Sequence, residues 1–107
     1  MPARIRSLLA MLERGQDSAL LRFSLGSEYL GDDEHILAAE HLQHAVELDP
    51  NYSAAWKLLG KAHAAQDCTA EAIDAYRQGI KVATANGDRQ ATKEMTVFLR
   101  RLEKETN

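Results

Sequence analysis

Residues 53–80 read SAAWKLLGKAHAAQDCTAEAIDAYRQGI, and this stretch decides the fold. Trp56, Leu59 and His63 recur at the three-to-four-residue spacing of one helix face, and Ile73, Tyr76 and Ile80 do the same further on. Between them the apolar rhythm breaks at Gln66-Asp67-Cys68, so the stretch predicts two helices joined by a tight turn, over about 53–66 and 69–85. Gly60 falls inside the first of these helices, where glycine costs about 1 kcal/mol against alanine. A glycine kept there points to close approach of another helix, with the small Ala72 expected to face it.

The stretch has an earlier counterpart. Leu25-Gly26 returns as Leu59-Gly60, Ala38 as Ala72, Tyr29 as His63, Leu42 as Tyr76 and Val46 as Ile80, each 34 residues on. Several matches of like chemical kind at one offset make this a repeat of a helix–turn–helix unit. The earlier unit places Leu21, Leu25 and Tyr29 on one helix that ends near Gly31. Its second helix has Ile36, Ala39, Leu42, Ala45 and Val46 on the inner face. Asp32 and Asp33 are expected to start that second helix, and Pro50 to stop it by excluding the residue before it from helical geometry.

The same frame reaches both ends. Ile5, Leu8 and Leu12 align with Ala39, Leu42 and Val46, so a first helix reads as half of a preceding unit, closed by Gly15. Asp17 or Ser18 can cap the helix that follows. Asn86-Gly87 breaks the fifth helix and Asp88 caps a sixth, with Met95, Phe98, Leu99 and Leu102 inside. Six helices and no strand result. Three helix pairs are about the minimum for a stable stack of this kind.

Trp56, Leu59, Gly60, Ala72 and Tyr76 stand at the spacing of the W-x2-L-G…A-x3-F/Y pattern, and the period is near 34. The chain therefore resembles the tetratricopeptide repeat (TPR) family, strongly over 19–86 and weakly outside. The resemblance implies an all-α, right-handed α-solenoid of helix pairs forming a single domain over 1–107. Within it, 1–16 is an N-terminal half-repeat helix, 19–52 and 53–86 are the two repeats, and 88–105 is a C-terminal capping helix. Leu25, Gly26, Tyr29, Ala38, Leu42, Ala45, Pro50, Trp56, Leu59, Gly60, Ala72 and Tyr76 hold the motif positions. Three departures stand out: Arg22 replaces the first repeat's Trp, Gly79 an alanine, and Thr84 the usual proline, so the fifth helix is expected to run on toward Asn86.

In this family the first helix of each pair lines a concave groove. Carried over, the groove consists of Leu20, Phe23, Ser27 and Leu30, then Ala54, Lys57, Lys61, Ala64 and Ala65, then Ala91, Met95 and Phe98. Lys57 and Lys61, four apart, share one helical face and place positive charge in an apolar trough suited to a peptide with an acidic group. Phe23 and Ser27 occupy positions where some members carry a carboxylate clamp, and neither groove helix has an asparagine, which disfavours that kind of chaperone-tail receptor. The resemblance thus implies a protein–protein adaptor that binds a peptide segment of a partner. The alternative is a structural or assembly subunit acting through self-association or end-to-end packing in a complex; the protein itself is expected to be a monomer or weak homodimer.

Composition agrees with that class. The 107 residues are 45% hydrophobic and 27% charged with only 6 Gly and 2 Pro, an ordinary globular, helix-rich balance. A net charge of −3 with mixed signs argues against a nucleic-acid partner, and no apolar run approaches the roughly 18 residues of a membrane span. Cys68 is the single cysteine, which excludes an intrachain disulfide and suits a reducing, cytoplasmic setting. It is expected to be inert. His41 and His44, with Glu40 and Glu47 beside them, have spacing that could offer metal ligands, but they are expected to form a wet outer helix face. His35 and His63 are too scattered to complete such a site. No nucleophile–base pattern and no phosphate-binding glycine loop occurs, so neither an enzyme activity, a metal nor a cofactor is expected.

Overall fold

A computed structural model describes residues 2–106. Among them it contains six helices and no strand: α1 Ala3–Glu13, α2 Ala19–Gly31, α3 His35–Leu48, α4 Ser53–Ala65, α5 Thr69–Ala85 and α6 Arg89–Glu105. Each start and stop has a local cause. Ser18 caps α2 by accepting from the Leu21 N–H at 3.0 Å, and Asp88 caps α6 by accepting from the Ala91 N–H at 3.1 Å. Gly15 and Gly87 adopt positive φ (80° and 73°) at helix ends, and α3 gives way to extended backbone at Asp49, just before Pro50. With threonine at position 84, α5 continues to Ala85 and is three residues longer than α3.

The turn inside each pair differs from expectation. Asp33 does not start α3; it adopts φ 56°, as Asp67 adopts φ 58° in the equivalent turn. Aspartate tolerates this left-handed geometry because its short carboxylate can interact locally. The helix then begins one residue after Glu34.

The helices pack in chain order, each against the next, and α2 also touches α4, as α4 touches α6. By contrast, among the described residues the backbones of α3 and α5 do not approach each other closely. The side formed by α2, α4 and α6 is therefore the shorter one, and the stack curves around it. Its extents of 44 × 28 × 19 Å are those of a short slab.

Two glycine contacts set the distance within the pairs. A Cβ at Gly60 would stand 2.6–2.7 Å from the Tyr76 ring, and one at Gly26 would stand 2.6 Å from Leu42 Cδ2. The residues seated on the glycines are thus the large Tyr76 and Leu42 rather than Ala72 and Ala38, which are fully buried elsewhere in the seam. Gly79 is a third such site, since a Cβ there would meet Met95 and stand 2.9 Å from Trp56 Cβ. Burial divides the apolar residues into two clusters. One runs from Ile5 through Leu25, Leu42 and Leu59 to Ala75; the other joins Ala72, Tyr76, Ala83 and Met95, with Phe98, Leu99 and Leu102 half-buried around it. Ile36, expected inside, is 66% exposed, because α3 turns Ala38 and Ala39 to the core in its place.

Candidate peptide-binding groove

The expected groove residues lie on α2, α4 and α6, where α2 touches α4 and α4 touches α6, and all but one keep some exposed surface. Leu20 is 66% exposed, Ser27 and Lys61 are exposed, and Leu30, Ala54, Ala64, Ala91 and Phe98 are half-buried. Met95 is fully buried behind Gly79 and offers this face no surface. The helix frame of α6 accounts for that: without a Leu-Gly pair it seats a methionine in the gap that Gly79 leaves.

Aromatic and charged groups subdivide the groove. Phe23 stacks on Tyr52 with centroids 4.8 Å apart, so a residue of the α3–α4 connection widens the apolar floor beside α2. Burial, and secondarily Asp49, pushes the Tyr52 phenol above its usual range, which keeps that ring neutral. At the other end Tyr76 and Phe98 lie 5.6 Å apart, tilted. Tyr76 is 2% exposed, and this burial pushes its phenol up to about 12.

The two lysines are not equivalent. Lys57 Nζ pairs with Glu94 at 3.4 Å and its side chain is largely covered. Lys61 Nζ stands 5.4 Å from the Phe98 centroid, in cation–π range, with no carboxylate partner among the described residues. The positive centre of the groove therefore resides mainly in Lys61. Tyr52 and Glu94 were not among the expected groove residues; neither falls on a repeat position that would mark it, since both act from outside the two repeated first helices.

On α3, Glu40, His44 and Glu47 are exposed, whereas His41 is half-buried. Its ring stacks on Tyr29 at 5.5 Å with an interplanar angle of 10°, and its Nδ1 lies 3.1 Å from Arg22 Nη1. Arg22, at the position where Trp56 stands in the second repeat, also grips Asp17 through two bonds of 2.8 and 3.1 Å. The site meant for an indole thus holds a guanidinium neutralised by one carboxylate. Burial, reinforced by Arg22, holds His41 below its usual range, and the Arg22 side chain holds the Asp17 carboxyl below its own. Trp56 itself donates its indole N–H to the Pro50 carbonyl at 2.8 Å. Among the described residues no three metal-ligating side chains converge, and no helix is long and apolar enough to cross a membrane.

No protein-family model matches the chain. A TPR repeat-containing protein of Pseudomonas aeruginosa is 55% identical over 100 residues, which span 94% of this chain and 95% of that protein. The chain belongs to the tetratricopeptide repeat family. Solved structures agree with this TPR assignment. A Bordetella parapertussis protein, 45% identical, superposes with a TM-score of 0.83 over 98% of this chain and 91% of its own. A tetratricopeptide repeat domain protein of Salinibacter ruber, 32% identical, gives 0.75 over 81% and 97%. TPR repeats generally serve as protein–protein interaction modules, using the extended concave surface their stacking creates.

Proposed function

We propose that this TPR chain is an adaptor whose α2–α4–α6 face receives an extended or helical segment of a partner protein. The observation that carries the reading is chemical: an apolar track of the exposed Leu20 and the half-buried Phe23, Tyr52 and Leu30 accompanies a lysine without a carboxylate partner, Lys61, poised over Phe98. Such a track favours apolar side chains along α2 and a carboxylate, from a side chain or a C-terminus, at Lys61. Lys57 contributes only by exchanging Glu94 for a ligand carboxylate. Binding rather than catalysis accounts for every feature of this face, and a reducing, cytoplasmic setting fits the single thiol.

Selection of binding peptides from a random display library, followed by affinity measurement, tests the proposal. Peptides recovered on the wild type are expected to lose about tenfold or more in affinity for a Leu20→Asp/Lys61→Glu variant. Equal binding by that variant would remove this face from the function. A second reading, self-association, draws on the exposed Ile36 and Leu48 of α3. Sedimentation at several concentrations distinguishes it, because an adaptor stays at one protomer.

A further inference from the structure

Helix α6 holds five of the 13 basic residues and three of the 16 acidic ones, so it is net positive on a chain of net charge −3. At about 100° per residue, Arg89, Lys93, Val97, Arg100 and Lys104 fall on the side opposite the buried Met95, with Arg101 at their edge. All six are exposed. Of the helix's three carboxylates, those at 94 and 103 pair instead with Lys57 at 3.4 Å and Arg77 at 2.9 Å, and Glu105 is exposed at its C-terminal end. Among the described residues no carboxylate lies within ion-pair distance of the five outward cations.

A terminal helix needs a polar outer face to stay in solution, but it does not need a face of one sign. Here the arrangement works against the helix. Arg89 and Lys93, like Arg100 and Lys104, are like charges four residues apart, which repel. Arg89 also lies in the first turn, the end where the helix dipole disfavours a cation. Two hollows follow the row. One of about 660 Å³ lies beside the α5–α6 turn and has Asp88 as well as Thr84, Arg89, Thr92 and Lys93 in its wall, and one of about 430 Å³ is lined by Val97, Arg100, Arg101 and Lys104. Val97, 46% exposed, separates the two groups of cations.

We propose that this outer face of α6 is a second docking surface, separate from the groove, for an acidic polypeptide segment of a partner. Carboxylates pair with the outward cations on either side of Val97, and an apolar side chain covers Val97. The row is about 22 Å long at 1.5 Å per residue, which matches roughly seven residues of extended chain. Other anionic partners fit less well. A polyphosphate backbone has no apolar group to cover the exposed Val97, and Val97 alone gives no apolar face with which to enter a bilayer. A second copy stacked end to end would bring α1, whose Arg4 and Arg6 outnumber its Glu13, and the adjoining Arg14 against the same cations.

The test is fluorescence anisotropy with a labelled short peptide of glutamate and aspartate around one central leucine, at low and at physiological salt. The wild type is expected to bind it, more weakly as salt rises. Reversal of the row (R89E, K93E, R100E, K104E) is expected to weaken binding about tenfold or more, while Lys57→Glu/Lys61→Glu in the groove changes it less than about twofold. Circular dichroism checks the fold, and replacement of the same four residues by glutamine serves if reversal disrupts it. No binding by the wild type at low salt, retention by the α6 variants, or loss on the groove reversal alone overturns the proposal. So does tighter binding to a DNA duplex or to phosphatidylserine vesicles than to the peptide. Failure here leaves the groove untouched, since its peptides are tested against different residues.

Discussion

Gly60→Ala probes the hairpin contact directly. The added Cβ would lie 2.6 Å from Tyr76 Cε1 and 2.7 Å from Cδ1 and Cζ, where carbon atoms rest at about 3.5–4.0 Å. The ring must therefore retreat by about 1 Å. It has little room to do so, being 2% exposed and backed by Phe98. Overpacking of this kind costs about 1–3 kcal/mol, while alanine returns up to about 1 kcal/mol of helix propensity. The net expectation is a loss of about 1–2 kcal/mol in urea unfolding followed by far-ultraviolet circular dichroism. Gly31→Ala supplies the control, because a Cβ there meets nothing within 4 Å, and its stability should hold or rise slightly. In a Tyr76→Ala background the penalty at 60 should vanish, giving a coupling of similar size in a double-mutant cycle. A variant as stable as the wild type, or a penalty that survives removal of the ring, would refute the contact as the cause.

Three further outcomes concern His41, Arg22 and Cys68. His41 has a folded value below its ordinary 6.5, so above that pH it is neutral in both states; as pH falls through 6.5 the unfolded chain takes the proton first and stability drops. His63, lowered mainly by burial, acts in the same direction. Urea midpoints between neutral and mildly acidic pH should show this decline, and His41→Gln should lessen it; an unaltered slope would remove His41 from the account. Arg22→Ala, at a side chain only 14% exposed, should cost about 1–2 kcal/mol through its lost charge-assisted bonds. It should also move the His41 titration upward by NMR, and an unchanged titration would show that the guanidinium does not act on the ring. Cys68, pushed up by desolvation and by the Glu71 carboxylate, should react with iodoacetamide more slowly than free cysteine at neutral pH; a faster reaction would mean an activated thiol.

Much of this architecture was readable from spacing because helix periodicity and a 34-residue repeat constrain it twice over. Leu25, Leu42, Leu59 and Tyr76 sit where the two constraints agree, and all are buried. Reading failed where only one applied. Ile36 is apolar, but its rotation about α3 is set by which neighbour Ala38 and Ala39 must meet, and that partner lies far off in sequence. Gly79 looked like a departure from an alanine position, yet it makes room for Met95, whose burial took it out of the groove. The lysine pair was visible as an i, i+4 pattern, whereas the 3.4 Å partnership of Lys57 with Glu94 spans 37 residues. Charges on separate elements pair through tertiary placement, which no local pattern encodes.

The division of buried side chains into two clusters bears on how the molecule comes apart. Helix α6 is held by Met95 and its half-buried neighbours, against α5 and part of α4, while the larger cluster closes over α1 to α5 without it. Detachment of that last helix exposes only the smaller cluster, so it can precede global unfolding as a separate, less costly opening. Amides of 89–105 would then exchange with solvent ahead of those in α3 and α4. A partner seated on the outer row of cations would slow that opening only by gripping neighbouring elements as well.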